Sequence, residues 1–329
     1  MTELALNGIF RSFGPRGAEA RALDGVDVTL SAGETVALVG ESGSGKTTLA
    51  RIAIGLDRPD RGSVLLDGRP LADRRGRIAH ADRARVQMVF QDPLASFNPH
   101  RSVAASVALP LRLHGGLSRA ARRDRVLDLL AAVGLDADLG ARAPAALSGG
   151  QLQRAAIARA LATDPALLIC DEPVASLDVS VRAQVLNLLA RLRRDRGLGI
   201  LFVSHDLGVV QRIADRTLVL FHGRVVEEGV GPGLWRVARH PYTRALAAAV
   251  PDPAVPWRDR PRALPAAVAA GAEAAGPFAI PSGCRYRLRC PHAVPVCAET
   301  DPTLEPVGAP GQRVACLRAG DPALAPPQP

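Results

Sequence analysis

The residues at positions 40–48, GESGSGKTT, have the types and the spacing of a phosphate-binding loop. They fit the pattern G-x-x-x-x-G-K-[ST], in which glycine-rich backbone N–H groups converge on phosphate oxygens. Lys46, the lysine of this pattern, is the single lysine among the chain's 41 basic residues. Because an ammonium is a compact point charge, we expect Lys46 to reach the outer phosphates and the Thr47 hydroxyl to bind magnesium. The residues predicted to contact a nucleotide are Gly40, Ser42, Gly43, Ser44, Gly45, Lys46, Thr47 and Thr48.

An acidic pair follows a short apolar run at positions 167–172, LLICDE. A phosphate-binding loop needs a carboxylate partner, and a buried strand that ends in two acids can supply it. We expect Asp171 to hold magnesium, directly or through water, and Glu172 to orient and deprotonate the attacking water. A helix cap or a surface turn is the alternative for such a pair. The phosphate-binding motif in the same chain favours the catalytic interpretation.

Hydrophobic periodicity predicts the elements that position these groups. The apolar run 34–39 is expected to be a strand that leads into the loop, and helical character follows from Thr48. Apolar residues at helical spacing predict two longer helices, at about 118–133 and 179–196, the second ending at Gly197. Strands are predicted over 1–35, in a hairpin at 63–68, and at 200–204 and 217–221. Strands that alternate with helices around a phosphate loop predict an α/β fold with a mainly parallel sheet and helices on both faces.

Composition restricts the class of protein. The chain has 329 residues, 47% of them hydrophobic, and can therefore bury a sizeable core. No apolar run approaches the roughly 20 residues of a membrane-spanning helix, and the N-terminus lacks the features of a signal peptide, so we expect a cytoplasmic protein. The formal charge of +9 is spread along the chain, and aromatic residues make up 3%. Both features favour a solvated arginine-rich surface over nucleic-acid binding.

The order of the motifs is similar to that of a known family. The phosphate loop is followed by Gln91 in VFQDP, by LSGGQ at 147–151, by the acidic strand end, by Asp178 in SLD, and by His205. This order resembles that of the ABC-type ATPases, over about residues 4–230. The resemblance implies an α/β fold, with a P-loop ABC-type ATPase core, an antiparallel β subdomain and a helical subdomain. It also implies that two such domains sandwich two ATP molecules, each held by one chain's phosphate loop and the other chain's LSGGQ helix start.

The same resemblance implies roles for single residues. Gln91 would sense magnesium and the γ-phosphate and link the nucleotide to a membrane subunit, and His205 would contact the γ-phosphate. Asp178 would communicate across the dimer, although it also suits the N-cap of a helix beginning at Val179. Phe13 lies where the family stacks an aromatic ring on adenine, and a place in the core is the alternative. The implied catalytic residues are Lys46, Gln91, Glu172 and His205. The implied magnesium ligands are Thr47, Gln91 and Asp171. The residues expected to complete the partner's site are Ser148, Gly149, Gly150 and Gln151.

The C-terminal part narrows the resemblance to one group. The run HPYTRAL at 240–246, followed by Val250-Pro251 and a cysteine-bearing segment, resembles the extension of peptide-importer ATPases of the oligopeptide, dipeptide and nickel group. This implies an ATP-hydrolysing subunit, peripheral at the cytoplasmic face of the cell membrane, that energises peptide import. Its implied partners are a second ABC ATPase subunit in a heterodimer, two transmembrane permeases and an extracellular solute-binding protein. Val174-Ala175 stands where relatives usually have Thr-Ser or a similar pair, and this difference should affect packing more than chemistry.

Two alternatives compete with peptide import. The solute could be nickel or another small molecule, or the chain could be a soluble ABC ATPase that acts on nucleic acid or ribosomes. Such soluble proteins generally carry two cassettes or a long coiled-coil insertion. This chain has one cassette, and no heptad run separates Gln91 from Ser148. We therefore expect no nucleic-acid partner.

Four cysteines cluster near the C-terminus. They are separated by 5, 6 and 18 residues and are Cys284, Cys290, Cys297 and Cys316. A cytosolic chain does not normally hold structural disulfides, so clustered thiols indicate a metal site. The spacing lacks the close cysteine pairs of common zinc sites and matches no common ferredoxin run. The family resemblance implies a 4Fe–4S cluster, with zinc and free thiols as alternatives.

Composition also suggests a division of the chain. Five prolines between positions 251 and 265, followed by an alanine-rich stretch, indicate a linker and not a packed element. The predicted parts are an ABC ATPase domain (1–235), a proline- and alanine-rich linker (236–280), a four-cysteine module (281–320) and a disordered tail (321–329). The sequence shows no internal repeat.

Overall fold

The chain folds into two β-sheets, with helices on the larger one. The computed structural model describes residues 2–15, 20–249 and 282–324. The strands in these residues are β1 (Glu3–Phe13), β2 (Ala20–Ser31), β3 (Thr35–Val39), β4 (Arg61–Leu66), β5 (Arg69–Pro70), β6 (Val86–Val89), β7 (Leu167–Asp171), β8 (Gly199–Ser204), β9 (Arg216–Phe221), β10 (Arg224–Val230), β11 (Glu305–Pro306) and β12 (Arg313–Val314). The α-helices are α1 (Lys46–Ala53), α2 (His80–Arg85), α3 (Val103–His114), α4 (Arg119–Ala132), α5 (Ala137–Ala141), α6 (Gly149–Ala160), α7 (Val179–Arg196), α8 (Leu207–Ile213), α9 (Leu234–Val237), α10 (Pro241–Ala248) and α11 (Val296–Glu299).

The larger sheet brings the ends of four strands to one edge. In the described residues it has eight strands, in the order β11-β12-β10-β9-β3-β8-β7-β6, and those from β9 to β6 are parallel. The register pairs Val39 of β3 with Ser204 of β8, and Asp171 of β7 with Val203 of β8. The loop after β3 and the residues after β6, β7 and β8 therefore lie at the same carboxyl edge. Ligands of parallel sheets bind at such an edge.

The smaller sheet is antiparallel, with the strand order β2-β1-β4-β5 in the described residues. It corresponds to the predicted antiparallel subdomain, and β4 and β5 form the hairpin predicted near 63–68. Helix α3 packs against α4, α5 and α6, which form the predicted helical part. The fold class predicted from the motifs is therefore confirmed.

Strand β7 is buried on both faces, which separates the interior into two apolar clusters. Its residues Leu168 and Cys170 pack with the side of α3, α6 and α7, while Leu167 and Ile169 pack with the side of α1 and the smaller sheet. A continuous apolar strand without polar alternation is typical of a parallel sheet covered on both faces. The helices in the described part of the chain are too short or too polar to cross a membrane.

The two long helices predicted from periodicity are present. They are α4 and α7, and both begin at a capping side chain, Ser118 for α4 and Asp178 for α7. Gly197, which follows α7, has a φ of 64°, the left-handed conformation that commonly ends a helix. The strands predicted at 200–204 and 217–221 are β8 and β9.

The first part of the stretch predicted as a linker is packed structure. Helix α10 begins at Pro241, a position where the fixed φ of proline favours a helix, and Tyr242 is buried within it. Residues 250–281, which include the rest of the predicted linker, lie outside the described residues. In the predicted tail, Pro322–Leu324 forms a 3₁₀ turn with Leu324 buried, and residues 325–329 lie outside the described part.

The C-terminal extension, which is described over residues 236–249 and 282–324, joins the core around one buried carboxylate. Strand β12 extends the larger sheet by pairing with β10, where Glu227 lies opposite Val314. The wholly buried Glu227 side chain accepts hydrogen bonds from the backbone N–H of Arg239 (2.9 Å) and His240 (3.1 Å). It also accepts one from Gln312 Nε2, at 2.8 Å. Burial raises the pKa of Glu227, and these bonds oppose that rise.

Replacing Glu227 by alanine should therefore destabilise the chain. A buried donor without a partner costs about 1–3 kcal/mol, so we expect the free energy of unfolding to fall by at least about 2 kcal/mol. Urea unfolding of the full chain, followed by circular dichroism, would measure the change. Asp128→Ala, at an exposed position of α4, is the control, and equal effects of the two substitutions would contradict this role of Glu227.

Candidate active site

The phosphate loop lies against two backbone segments, which explains two of its glycines. A Cβ atom at Gly40 would lie 2.1 Å from the carbonyl oxygen of Leu220, near the end of β9. A Cβ atom at Gly45, where φ is +107°, would lie 2.3 Å from the carbonyl oxygen of Ala22 in β2. A side chain at either position would displace the loop. Strands of both sheets thus hold the loop backbone in place.

Lys46 is the first residue of α1, and its side chain is buried. Its ammonium donates hydrogen bonds of 2.8 Å to the carbonyl oxygens of Gly40 and Glu41. Burial lowers the pKa of Lys46, and the nearby carboxylates of Glu172 and Asp171 oppose that change. A buried positive charge therefore lies beside the free N–H groups of a helix N-terminus. Both favour a bound anion.

The carboxyl end of β7 supplies a candidate magnesium site. The Thr47 hydroxyl donates a hydrogen bond of 3.2 Å to Asp171 Oδ1. Burial raises the pKa of Asp171, while the bond from Thr47 acts in the opposite direction. A carboxylate beside a hydroxyl offers the hard oxygen ligands that Mg²⁺ takes, and a cation would stabilise the buried charge. These two residues therefore fit the predicted ion.

Glu172 is held by side chains from two other strand ends. Gln91 Nε2 donates a hydrogen bond of 3.2 Å to Glu172 Oε2, and His205 Nδ1 lies 3.2 Å from Glu172 Oε1. The backbone N–H of Glu172 donates to the carbonyl oxygen of Val203 at 3.0 Å. Its φ of 45° lies in the left-handed region, which costs a non-glycine residue about 1–3 kcal/mol and is common at functional sites. The carboxylate is thus fixed in both position and orientation.

The predicted catalytic and magnesium residues are brought to one edge of the sheet by these contacts. The structure places the Gln91 amide on Glu172, a contact that the prediction did not include. Within the described residues, no hydrogen bond joins the Gln91 side chain to Thr47 or Asp171. The sequence motif could not show this contact, since Gln91 and Glu172 are 81 positions apart.

The LSGGQ residues form the start of α6. Ser148 and Gln151 make a capping box, in which the Ser148 hydroxyl accepts from Gln151 N–H and Gln151 Oε1 accepts from Ser148 N–H. Gly150 allows close packing on α7, because a Cβ atom there would lie 2.1 Å from Val181 Cγ1. Ser148 and Gly149 are exposed. In the described part of the chain, no hydrogen bond joins this turn to the phosphate loop.

Two further predicted residues lie away from these contacts. Asp178 caps α7 by accepting a hydrogen bond of 2.9 Å from Val181 N–H, and this bond lowers the pKa of Asp178. Phe13, at the end of β1, is 43% exposed, which excludes a place in the core. The Arg11 guanidinium lies 4.8 Å from the centroid of the Phe13 ring.

The four C-terminal cysteines line one pocket. Cys284, Cys290, Cys297 and Cys316 share it with Tyr286. They are free, as is Cys170. Burial raises the pKa of three of these thiols, to about 11 for Cys316. Within the described residues, however, no group of three or more potential ligands is positioned to hold a metal ion.

One contact at the site has no counterpart in the sequence motifs. Glu41, which the phosphate-loop pattern leaves unspecified, accepts two hydrogen bonds of 2.7 Å from Arg289. Arg289 is 248 positions away and lies next to Cys290, so no local signal predicts the pair.

Two family models match the chain. The ABC transporter model matches residues 23–175, which include the phosphate loop, the LSGGQ turn and the acidic strand end. The model of the oligopeptide/dipeptide transporter C-terminal region matches residues 226–297. The second match includes α10 and three of the four clustered cysteines.

Solved structures with this fold include a dimeric bacterial ABC transporter cassette, at 32% sequence identity and a TM-score of 0.63, covering 69% of this chain and 98% of that chain. A dimeric ATP-binding cassette in a post-hydrolysis state, bound to ADP and Pi, matches at 31% identity with the same TM-score and coverage.

Similar proteins cover most of the chain. The oligopeptide transport ATP-binding protein OppF of Salmonella typhimurium is 46% identical over 91% of this chain and 88% of its own length. The putative oligopeptide transport ATP-binding protein YkfD of Bacillus subtilis is 43% identical over 90% of this chain and 89% of its own length. The motifs, their geometry and these similarities show that the chain belongs to the ABC transporter ATP-binding proteins of the oligopeptide and peptide transport group.

Proposed function

We propose that this chain is the ATP-binding and ATP-hydrolysing subunit of an ABC importer that moves peptides across the cell membrane. The observation that carries the proposal is the Glu172 carboxylate, held by Gln91 and His205 at the same sheet edge as the buried Lys46. Names such as oligopeptide transport and peptide import ATP-binding protein, carried by similar proteins, support peptides as the solute.

In this proposal Glu172 is the general base. Gln91 and His205 fix the orientation of its carboxylate before the substrate binds, so little reorganisation is needed when water attacks. The carboxylate accepts a proton from that water as it attacks the γ-phosphate of ATP. In this geometry His205 Nδ1 faces the Glu172 carboxylate, and Nε2 is left for a γ-phosphate oxygen, to which it donates when the ring is an imidazolium with a proton on each nitrogen. The reaction requires no covalent intermediate.

Lys46 and the loop N–H groups bind the phosphates. In the free site the Lys46 ammonium donates to the Gly40 and Glu41 carbonyl oxygens, and phosphate oxygens would be stronger, charged acceptors in their place. Thr47 and Asp171 would hold magnesium, with Gln91 as the further ligand that the resemblance implies, and the ion would neutralise part of the charge on the phosphoryl group. Phe13 is accessible for stacking on the adenine ring.

We assign the LSGGQ turn to the ATP site of a second ATPase subunit. The exposed Ser148 and Gly149 and the absence of hydrogen bonds, in the described residues, between this turn and the chain's own loop support that assignment. The dimeric states of the solved cassettes also support it. Asp178 lies close to the LSGGQ turn, since both pack at the start of α7. By analogy with the group, the second subunit is a different ATPase chain.

The remaining partners follow from the import function. Two transmembrane permeases would hold the chain at the cytoplasmic face of the membrane, and an extracellular solute-binding protein would deliver the peptide. Gln91 would transmit the state of the nucleotide toward the permease, because its side chain already contacts the catalytic carboxylate.

We propose that the chain divides into an ATPase domain, a linker and a four-cysteine module. The boundary between the first two lies after α10 and not at residue 236.

We further propose that the four-cysteine module holds a 4Fe–4S cluster. Four thiolates on one zinc ion, with Zn–S bonds of about 2.3 Å, must lie within about 4 Å of each other. In the described residues no group is positioned to hold a single ion, yet all four thiols line one pocket. The proposal therefore rests on the pocket that the four thiols share and on the resemblance of this segment to the peptide-importer group. Its role here would be to cross-link the module.

The substitution Glu172→Gln tests the general base. Because the amide cannot accept the proton, we expect ATP hydrolysis by the chain assembled with its partner subunits to fall by about 10²-fold or more, while ATP binding by the chain persists. Phosphate release and nucleotide titration would measure the two properties. Glu3→Gln, at an exposed position of β1, is the control. Unchanged hydrolysis in Glu172→Gln would contradict the assignment, and unchanged uptake of a labelled peptide by cells carrying it would contradict the import role.

The substitution Lys46→Arg tests the shape of the buried cation. It keeps the charge, but a planar guanidinium cannot occupy the space where the ammonium donates to Gly40 and Glu41. We expect hydrolysis to fall by about 10²-fold, the scale for losing a positioned donor to the transition state. Arg51→Lys, the reverse exchange on the exposed side of α1, is the control. Normal hydrolysis by Lys46→Arg would show that charge alone suffices.

Iron and acid-labile sulfide assays test the cluster. Anaerobically purified full chain should contain about four iron atoms and four sulfides per chain, with loss of both in Cys297→Ser. Cys170→Ala, which changes the cysteine outside the pocket, should retain them. Zinc in place of iron would contradict the cluster and indicate a zinc site. The absence of both metals would contradict the cluster and indicate free thiols.

A further inference from the structure

In the part of the chain that the structure describes, the hydrogen bonds between the C-terminal extension and the phosphate loop involve one loop residue, Glu41. The Tyr242 hydroxyl of α10 accepts a hydrogen bond of 2.9 Å from the backbone N–H of Glu41. Arg289 directly precedes Cys290 in the sequence. Its guanidinium donates two hydrogen bonds of 2.7 Å to the Glu41 carboxylate. Paired bonds of this kind fix orientation as well as distance.

The backbone carbonyl group of Glu41, unlike its N–H and its carboxylate, contacts a residue of the phosphate site. Its carbonyl oxygen accepts the 2.8 Å hydrogen bond from Lys46. Tyr242 and Arg289 therefore hold the same residue that holds the ammonium in the loop. Because the N–H and the carboxylate of Glu41 are both bound by the extension, the loop backbone cannot move at this point without breaking contacts with it.

An aromatic cluster connects these contacts with the cysteine pocket. The rings of Tyr242 and Tyr286 lie 5.5 Å apart, and Phe221 lies 4.5 Å from Tyr242 and 5.3 Å from Tyr286. Tyr286 also lines the pocket of the four cysteines. Arg289 is placed over the rings of Phe221 and Tyr286, with its Cζ atom 5.7 Å from each centroid. Packed rings transmit displacement, since buried interiors have few voids.

The charge of Glu41 makes the ion pair important for a bound anion. A carboxylate inside a phosphate-binding loop repels phosphate, and this repulsion is stronger near a partly buried site than in water. Arg289 neutralises the carboxylate, and the pair is partly buried, with side-chain exposures of 27% and 40%. Without Arg289, Glu41 would present an unpaired negative charge to the nucleotide.

We propose that Arg289 and Tyr242 are positioning residues of the nucleotide site, through which the cysteine-bearing extension sets the charge and the conformation of the phosphate loop. Nucleotide affinity then depends on the extension, although none of its residues belongs to the phosphate-binding motif. The proposal rests on the proposed function in one respect, namely that this loop binds ATP.

Nucleotide titration of the full chain, with Mg²⁺ and a fluorescent ATP analogue, tests the proposal. We expect Arg289→Gln to weaken affinity about 3- to 10-fold, the range for losing one partly exposed, paired charge contact. Adding Glu41→Gln to Arg289→Gln should recover part of the loss, because it removes the unpaired charge. Tyr242→Phe should weaken affinity to a smaller extent, because it removes one neutral acceptor.

Arg313→Gln is the matched control. Arg313 is also an extension arginine near a core glutamate, with its Nη1 atom 3.6 Å from Glu228, but it lies away from the phosphate loop. Its substitution should leave nucleotide affinity unchanged. Equal affinities of Arg289→Gln and Arg313→Gln would overturn the proposal, as would a double substitution no better than Arg289→Gln alone.

A second variant covers the case in which Arg289→Gln fails to fold. Glu41→Asp keeps the charge and shortens the side chain, so the carboxylate loses its paired contact with Arg289. The affinity should then fall as for Arg289→Gln, and wild-type affinity would overturn the proposal. Failure of the wild-type chain to bind the analogue would instead contradict the proposed function, so the two failures are distinguishable.

Discussion

The site depends on the parallel pairing of β3, β8 and β7. Because side chains and turns at the carboxyl ends of parallel strands share one edge, residues from positions 46, 91, 171 and 205 meet there although the sequence separates them widely. The pairing also fixes the backbone of the loop, since Gly40 lies against the carbonyl oxygen of Leu220 in the neighbouring strand. A displaced strand would therefore disturb the phosphate loop and the acidic pair together.

The same edge concentrates buried charges of opposite sign. Burial lowers the pKa of Lys46 and raises the pKa of Asp171, so desolvation disfavours the charged form of each residue. Neighbouring charges partly offset this cost, because each residue lies in the field of the other. A polyanion at Lys46 and a cation at Asp171 would stabilise both charged forms. A bound nucleotide and ion would therefore lower the electrostatic cost of the two buried charges.

The sequence predicted those features whose geometry is local. Helices α4 and α7 follow from apolar spacing and capping residues, and the phosphate loop follows from glycines that strand packing requires. Two features depended on contacts that no local pattern encodes. The prolines between positions 251 and 265 indicated a linker over 236–280, but the first part of that stretch contains a packed helix that begins at Pro241, where proline fits the first turn. The bonds that hold Glu172 and Glu41 join positions 81 and 248 residues apart and required the fold itself.

Lys46 belongs to a local sequence motif and also takes part in long-range contacts. These contacts explain why an arginine-rich chain has a lysine at this position. The ammonium is held between the Gly40 and Glu41 carbonyl oxygens, a space set by a glycine that tolerates no Cβ atom and by a glutamate fixed from outside the cassette. A compact cation with rotatable donors can leave these carbonyls for phosphate oxygens without moving the loop, whereas a planar fork requires a matching pair of acceptors. The constraint on Lys46 therefore extends, through Glu41, to the C-terminal extension.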